Sequence, residues 1–369
     1  MMSPLKFSIQ GDYVESYIYS GNLLLVDSNY VLSTFRWDEL ISDVTATLPI
    51  LERNKIQQIA KDGSKFNSGS FSTLDIEKHQ LEKHRVKSVE LGVWPTDIGI
   101  LSNSVYVASE EGVNRLFLNY KSGELGDKNR KSKLYDSVAF SLAPNSHGRL
   151  VFAAGEDGIH TSNWLSKDEQ RYSRQMLEDK CIEVDWFSTT LVAELDNGVM
   201  RYDFQDIPNK NDLYDHEFEA AIRRIKLSNP EANFEEGAVH SWIAGDKVYY
   251  ITRSGELVVG SVKSNRIPKK AVAALQSLDV LGAKTASFGT VLETSDNLYV
   301  KTESNISSIA EDFVSWRVFP RAKNYANHIH VVKNDCLELL VLPTGTVDSL
   351  KLDIQTLEFK NQKRKNVEE

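Results

Sequence analysis

Residues 191–204 read LVAELDNGVMRYDF: an apolar run, a break at Asp196-Asn197-Gly198, and a second run in which apolar and polar residues alternate. Such turn residues tolerate the backbone angles of a tight reversal, and a period of two sends one side of a strand inward, so the stretch predicts a β-hairpin. Six similar stretches lie along the chain: NLLLVDSNYVLSTFRW from Asn22, SVYVASEEGVNRLFLN from Ser104, RLVFAAGEDGIHTSNW from Arg149, KVYYITRSGELVVGSV from Lys247, TVLETSDNLYVKT from Thr290 and LELLVLPTGTVDSLKL from Leu337. Their turns fall at Tyr30 (or Asn29), Gly112, Gly158, Gly198, Gly255, Asn297 and Gly345, and from Gly112 onward the steps are 46, 40, 57, 42 and 48 residues. Steps of roughly 40–50 residues are those of propeller blades.

The segments upstream of five units each offer another short strand: DSVAFSLAP before the third, CIEVDWFS before the fourth, AVHSWIAG before the fifth, AKTASFG before the sixth and NHIHVVKND before the seventh. One strand before each hairpin and one after it make a four-stranded blade, and sheets set radially leave few exposed edges. Trp37-Asp38 closes the third strand of the first unit, with Tyr202-Asp203 and Leu352-Asp353 at comparable places, whereas a Gly-His pair opening the repeat is absent. In rhythm and in these pairs the chain resembles the β-propeller superfamily, loosely its WD40-like group. The resemblance implies an all-β fold, one propeller domain over residues 1–369, of seven blades with helical insertions. It also implies ring closure by a terminal strand, with Leu5 to Ile9 expected to pair near Leu350 to Phe359.

Two steps are long. Residues 38–90 read as an insertion or a degenerate blade, the latter giving eight units. Leu40, Ile41, Val44, Leu48, Leu51, Ile56 and Ile59 recur at helical spacing, Lys61-Asp62-Gly63 ends the run, and Pro49 predicts a bend or two short helices. Residues 205–236 read as a helical insertion, since Tyr214, Phe218, Ala221, Ile222 and Ile225 share one helical face between Asn211-Asp212 and Asn229-Pro230. That helix either folds back on its own blade or meets a partner.

The composition is that of a folded chain: 41% of the 369 residues are hydrophobic and 26% charged. A net charge of -9 and a pI near 5.5 disfavour a purely electrostatic nucleic-acid binder. Cys181 and Cys336 are too few for a disulfide framework and read as free thiols of a reducing compartment. No apolar run approaches the ~18 residues of a membrane span, and a cytoplasmic location is expected.

No phosphate loop, dinucleotide fingerprint, nucleophile elbow, H-E-x-x-H or paired C-x-x-C is present, so neither a catalytic residue nor a cofactor is assigned. His328 and His330 share a strand face, but no neighbouring segment supplies further ligands, and no metal is expected there. Glu183 and Asp185, on an inner strand, are suited to line a wet channel or to serve as acid and base. KSGELGDKNRKSK and KSNRIPKK are basic, and the tail adds Lys360, Lys363, Arg364 and Lys365. The six tryptophans suit packing between blades, with some at a binding rim.

These features together predict a non-enzymatic scaffold or recognition subunit with one or more protein partners. The interaction candidates are Tyr214, Phe218, Ile222 and Ile225 on the inserted helix and Lys263, Arg266, Lys269 and Lys270 in the basic loop. The alternatives are a nucleic-acid-contacting subunit using the basic loops, and a propeller hydrolase or lyase with a channel-mouth site.

Overall fold

The computed structural model describes residues 4–66, 69, 71–126, 132–145, 149–163, 173–204, 212, 214, 216–217, 233–262, 271–275, 278–302 and 305–343. Its strands form seven sheets, each the blade of a propeller. β1 (Leu5–Gln10) belongs to the last blade. Blade 1 consists of β2 (Tyr13–Tyr19), β3 (Asn22–Asp27), β4 (Val31–Arg36) and, after an excursion, β6. The excursion holds α1 (Trp37–Val44), α2 (Ile50–Lys61), a 3-10 turn, β5 (Leu74–Ile76) and α3 (Lys78–Lys83) before β6 (Arg85–Glu90). Pro49 immediately precedes α2, so the helical run is two helices. Leu51, grouped above with the buried stripe, stands 83% exposed, because in the first turn of α2 it faces away from Ile56 and Ile59.

Blade 2 is β7 (Pro95–Leu101), β8 (Ser104–Ser109), β9 (Gly112–Asn119), the short β10 (Glu124–Leu125) and β11 (Ser132–Tyr135), the last two sharing the outer edge of β9. Blade 3 is β12 (Ser141–Asn145), β13 (Arg149–Ala153), β14 (Ile159–Asn163) and β15 (Ser173–Leu177). Blade 4 is β16 (Cys181–Phe187), β17 (Thr190–Leu195), β18 (Gly198–Asp203) and β19 (Asn233–Glu236). Blade 5 is β20 (Ala238–Ala244), β21 (Lys247–Thr252), β22 (Glu256–Ser261) and β23 (Ala271–Ala274). Blade 6 is β24 (Gly282–Ala286), β25 (Gly289–Glu293), β26 (Asn297–Lys301) and β27 (Ile306–Glu311). Blade 7 is β28 (Ser315–Val318), β29 (His328–Val332), β30 (Cys336–Val341) and β1.

The opening hairpin is β17–β18, in register from Thr190↔Asp203 to Leu195↔Gly198. Glycines follow or end several of these turns because nothing larger fits: a Cβ on Gly112 or Gly158 would lie 2.0 Å from the carbonyl oxygen of Tyr135 or Leu177 on the next strand. The second strand of a blade is flanked by neighbouring blades on both faces, which is why β8, β13 and β29 are buried at every position.

That rule corrects the phase of blade 7. HIHVV was read as an inner strand followed by a hairpin turning at Gly345; it is instead the second strand, and the hairpin is β29–β30, turning at Asn334-Asp335. The inner strand is the four-residue SWRV of β28. Gly345 lies outside the described residues.

Closure also differs from expectation. β1 pairs antiparallel with β30, from Leu5↔Val341 to Gln10↔Cys336, rather than near Leu350–Phe359, which lies outside the described residues. The other edge of β1 is taken by β5, parallel, from Phe7↔Leu74 to Ile9↔Ile76. The excursion from blade 1 therefore clamps the closing strand of blade 7. Phe7 meets Trp37 edge to face at 5.3 Å, Trp37 donates its indole N–H to the Ala60 carbonyl at 3.0 Å, and Gly63 donates its N–H to the Asn324 carbonyl. Buried apolar side chains form seven clusters that follow the seams between successive blades, and the 7–1 seam is extended by Leu40, Ile56, Ile59 and Phe66. No helix among the described residues is long and apolar enough to cross a membrane.

Candidate interaction face and central channel

In every blade the first strand runs outward from one face of the ring, so the turn between second and third strands and the link to the next blade return to that same face. Four links carry an exposed apolar side chain at an equivalent place, the residue just ahead of the first strand: Trp94 before β7, Phe140 before β12, Leu281 before β24 and Val314 before β28. Ile182, the second residue of β16, adds a fifth at the same end of blade 4. Their exposures run from 40% to 54%. Trp94 is held by an edge-to-face contact with Tyr30, the turn residue of blade 1, at 5.9 Å. Tyr30 holds a positive φ of 59°. Large apolar residues are costly to leave in water and dominate binding hot spots, so their recurrence on one face marks a surface.

Just inside this face, the third residue of each first strand is Glu15, Asp97, Ala143, Glu183, His240, Lys284 or Arg317. In blades 1, 2, 4 and 5 the register shifts between the first and third residues of that strand, a bulge that re-aims the residue after it. The result is a ring of charges at the channel mouth. Arg317 donates to Glu15 at 3.2 and 2.9 Å, to Asp97 at 2.9 Å and to the Ile98 carbonyl at 3.0 Å. Lys284 of blade 6 reaches Glu183 of blade 4 at 3.0 Å. Deeper, Arg321 enters from the opposite face to Asp185 at 2.6 Å and lies over the Phe187 ring. Ionic bridges thus cross the channel at two levels.

The charge states follow from this crowding. Burial pushes the Glu183 carboxyl up to about 7; Lys284 opposes that rise and Glu194 and Asp97 add to it. Burial works against the Lys284 ammonium, but Glu183, Asp185 and Glu194 outweigh it and hold its pKa above the ordinary value. Glu183 and Lys284 keep 36% and 32% of their side-chain surface accessible, so water screens the pair. Burial likewise disfavours the His240 cation, but its contact with Glu194 raises its pKa overall. Both its ring nitrogens face acceptors, Glu194 Oε2 at 3.3 Å and the Val280 carbonyl at 3.0 Å, which suits the doubly protonated ring.

Glu183 and Asp185 are therefore brought to the channel, where each sits in an ion pair. His328 and His330 do share a face, with ring centroids 6.3 Å apart, sealed in the 7–1 seam. His330 Nδ1 meets Ser16 Oγ at 2.7 Å, while His330 Nε2 and both His328 nitrogens are buried without a partner among the described residues. No group of three His, Cys, Asp or Glu among the described residues is placed to hold a metal ion. Cys181 and Cys336 are unpaired, and burial pushes the Cys181 thiol up to about 12. Trp37, Trp186 and Trp242 are buried, whereas Trp94 is on the rim.

Tyr214 is 75% exposed and stacks on His216 at 5.9 Å. Phe218, Ile222, Ile225, Lys263, Arg266, Lys269 and Lys270 lie outside the described residues. Arg317, the hub of the mouth, and the rim residues other than Trp94 were not among the sequence candidates; a titratable residue third in six of the seven first strands, Ala143 being the exception, would reveal the ring once the blades are correctly phased.

No family model matches the sequence, and no curated protein does. Solved structures do match in shape. The WD40 domain of Neurospora crassa Pan2 is 8% identical with a TM-score of 0.51, over 90% of this chain and 89% of that one. The β-propeller domain of Myceliophteria thermophila Cps50 (Swd1) is 8% identical with a TM-score of 0.56, over 91% and 99%. The fold is a seven-bladed β-propeller, the fold these WD40 and β-propeller domains share. A chain of the mitotic checkpoint complex is similar too, at 9% identity and a TM-score of 0.50, over 91% and 86%. These identities speak for the shared propeller fold alone.

Proposed function

We propose that the protein is a non-enzymatic docking subunit of a larger assembly, holding a protein partner on the face where the blade links emerge. The observation that carries this reading is the row of exposed apolar residues, Trp94, Phe140, Leu281 and Val314 on four links and Ile182 at the start of β16, displayed on one face of the ring. One similar structure is a chain of the mitotic checkpoint complex, which supports the reading by analogy of fold. The unpaired cysteines fit work in the reducing cytoplasm. Tagged protein purified from its source cells and weighed by native mass spectrometry tests the proposal. A reproducible stoichiometric partner is expected; recovery of the lone monomer contradicts it.

A channel-mouth enzyme is the second reading, favoured by Glu183, whose carboxyl is pushed up to about 7. Its engagement with Lys284 weighs against it, since a general acid or base must be free to reach a substrate.

A further inference from the structure

The same face has a marked charge. Adjacent exposed acids stand at four places on it: Glu110-Glu111 in the β8–β9 turn, Glu156-Asp157 in the β13–β14 turn, Glu178-Asp179 between β15 and β16, and Glu311-Asp312 where β27 ends. Among the described residues, the exposed bases on the turns and links of this face are Lys180 and Arg253. Lys180 is already engaged, at 3.0 Å from Glu156 and 3.6 Å from Asp196. The face is therefore negative, interrupted by the apolar side chains of the links. A single exposed ion pair contributes little, but a field of one sign steers a partner of the other and repels its own, while the apolar anchors hold it once docked.

We propose that the occupant of this face is a basic protein segment carrying apolar anchors. Its Lys and Arg side chains meet the acid pairs, and its aliphatic or aromatic side chains settle on Trp94, Phe140, Ile182, Leu281 and Val314. This deepens the docking reading and rests on it. A nucleic acid, whose phosphates the acid pairs repel, does not fit the face.

The test is a display library of random sixteen-residue peptides panned on the immobilised full chain. Enriched peptides are then titrated by fluorescence anisotropy, with a single-stranded RNA of about the same length beside them. The enriched set is expected to be net positive with at least one large apolar residue, and to bind on the order of tenfold more weakly at ~500 mM than at ~50 mM salt. Charge reversal at Glu110, Glu111, Glu156 and Asp157 (each to Lys) should weaken binding by a similar factor. Trp94→Ala with Leu281→Ala should weaken it without changing the salt dependence. All these sites are on the surface, and melting curves matching the unaltered chain verify that the variants fold.

Neutral or acidic winners, basic winners that both variants bind equally, or tighter binding of the RNA overturns the proposal. No enrichment alongside a stoichiometric partner from cells overturns the basic segment and leaves the docking reading standing. No enrichment and no partner removes both.

Discussion

Arg317 and Glu15 lie 302 residues apart in sequence and form a two-pronged ion pair at the channel mouth, Nε to Oε1 at 3.2 Å and Nη2 to Oε2 at 2.9 Å. The same guanidinium reaches Asp97, so one side chain of blade 7 ties blades 1 and 2 together. Burial alone would depress its pKa, but Glu15 and Asp97 hold it well above the ordinary value.

Removing that hub leaves two carboxylates facing each other. Arg317→Met is expected to cost about 2–4 kcal/mol, somewhat less than the ~3–5 kcal/mol for orphaning a fully buried charge, because the channel is partly wet. Glu15→Gln in the same chain should recover part of the loss. Urea unfolding measures both; a loss under about 0.5 kcal/mol, in the range of exposed ion pairs, would mean the bridge is ornamental.

Closure of the ring depends on the clamp around β1. Trp37→Ala empties the space between Phe7 and the Ala60 carbonyl and should cost about 3–5 kcal/mol. Hydrogen exchange should speed up most in β1 and β5, the strands the clamp holds. Uniform acceleration through every blade would contradict a local role.

The blade rhythm was legible because turns and alternation are local, and hairpins such as β17–β18 write both into adjacent residues. Blade 7 was misphased because the polar–apolar alternation of HIHVV imitates a half-buried strand although every position is buried, and four-residue SWRV is too short to stand out. The closing strand was recognisable in Leu5 to Ile9, but its partner β30 was assigned to the wrong hairpin by the same slip. The channel ring was hidden for a different reason. Which side a residue takes depends on bulges such as that between Cys181 and Glu183, and the partners are hundreds of residues away.

Glycine substitutions separate angle from space. Gly92 has a φ of 83° with nothing within 4 Å of an added Cβ, so Gly92→Ala should cost about 1 kcal/mol from the backbone angle alone. Gly112→Ala and Gly158→Ala must also displace a strand carbonyl and should cost roughly 2–4 kcal/mol. Equal melting temperatures for the three variants would refute the close approach at the turns.

Acid should weaken the 7–1 seam. Burial lowers the pKa of His328 to about 3, and burial, then His328 and Arg317, hold His330 well below the ordinary 6.5. Tyr325 and Phe319 pack on the two rings, and Ser16 faces them from β2. A depressed folded pKa gives stability that is complete above 6.5 and lost as pH falls toward the folded value. The pair can thus remove up to about 2.7 kcal/mol per pH unit below 6.5. Glu183 acts in the opposite sense: its raised pKa favours the fold below 4.5, an advantage lost as pH rises through about 7. Urea midpoints from pH 7.5 to 5 should fall less steeply for His328→Leu, by about one proton's share; parallel curves would show that His328 titrates normally.

The docking face itself is best tested by hydrogen exchange on the purified assembly, comparing the bound chain with the free one. Protection is expected at the links holding Trp94, Phe140, Leu281 and Val314 and at Ile182, with α1 and α2 unchanged. Protection confined to the helical excursion or to the opposite face, with these links exchanging as in the free chain, would contradict it.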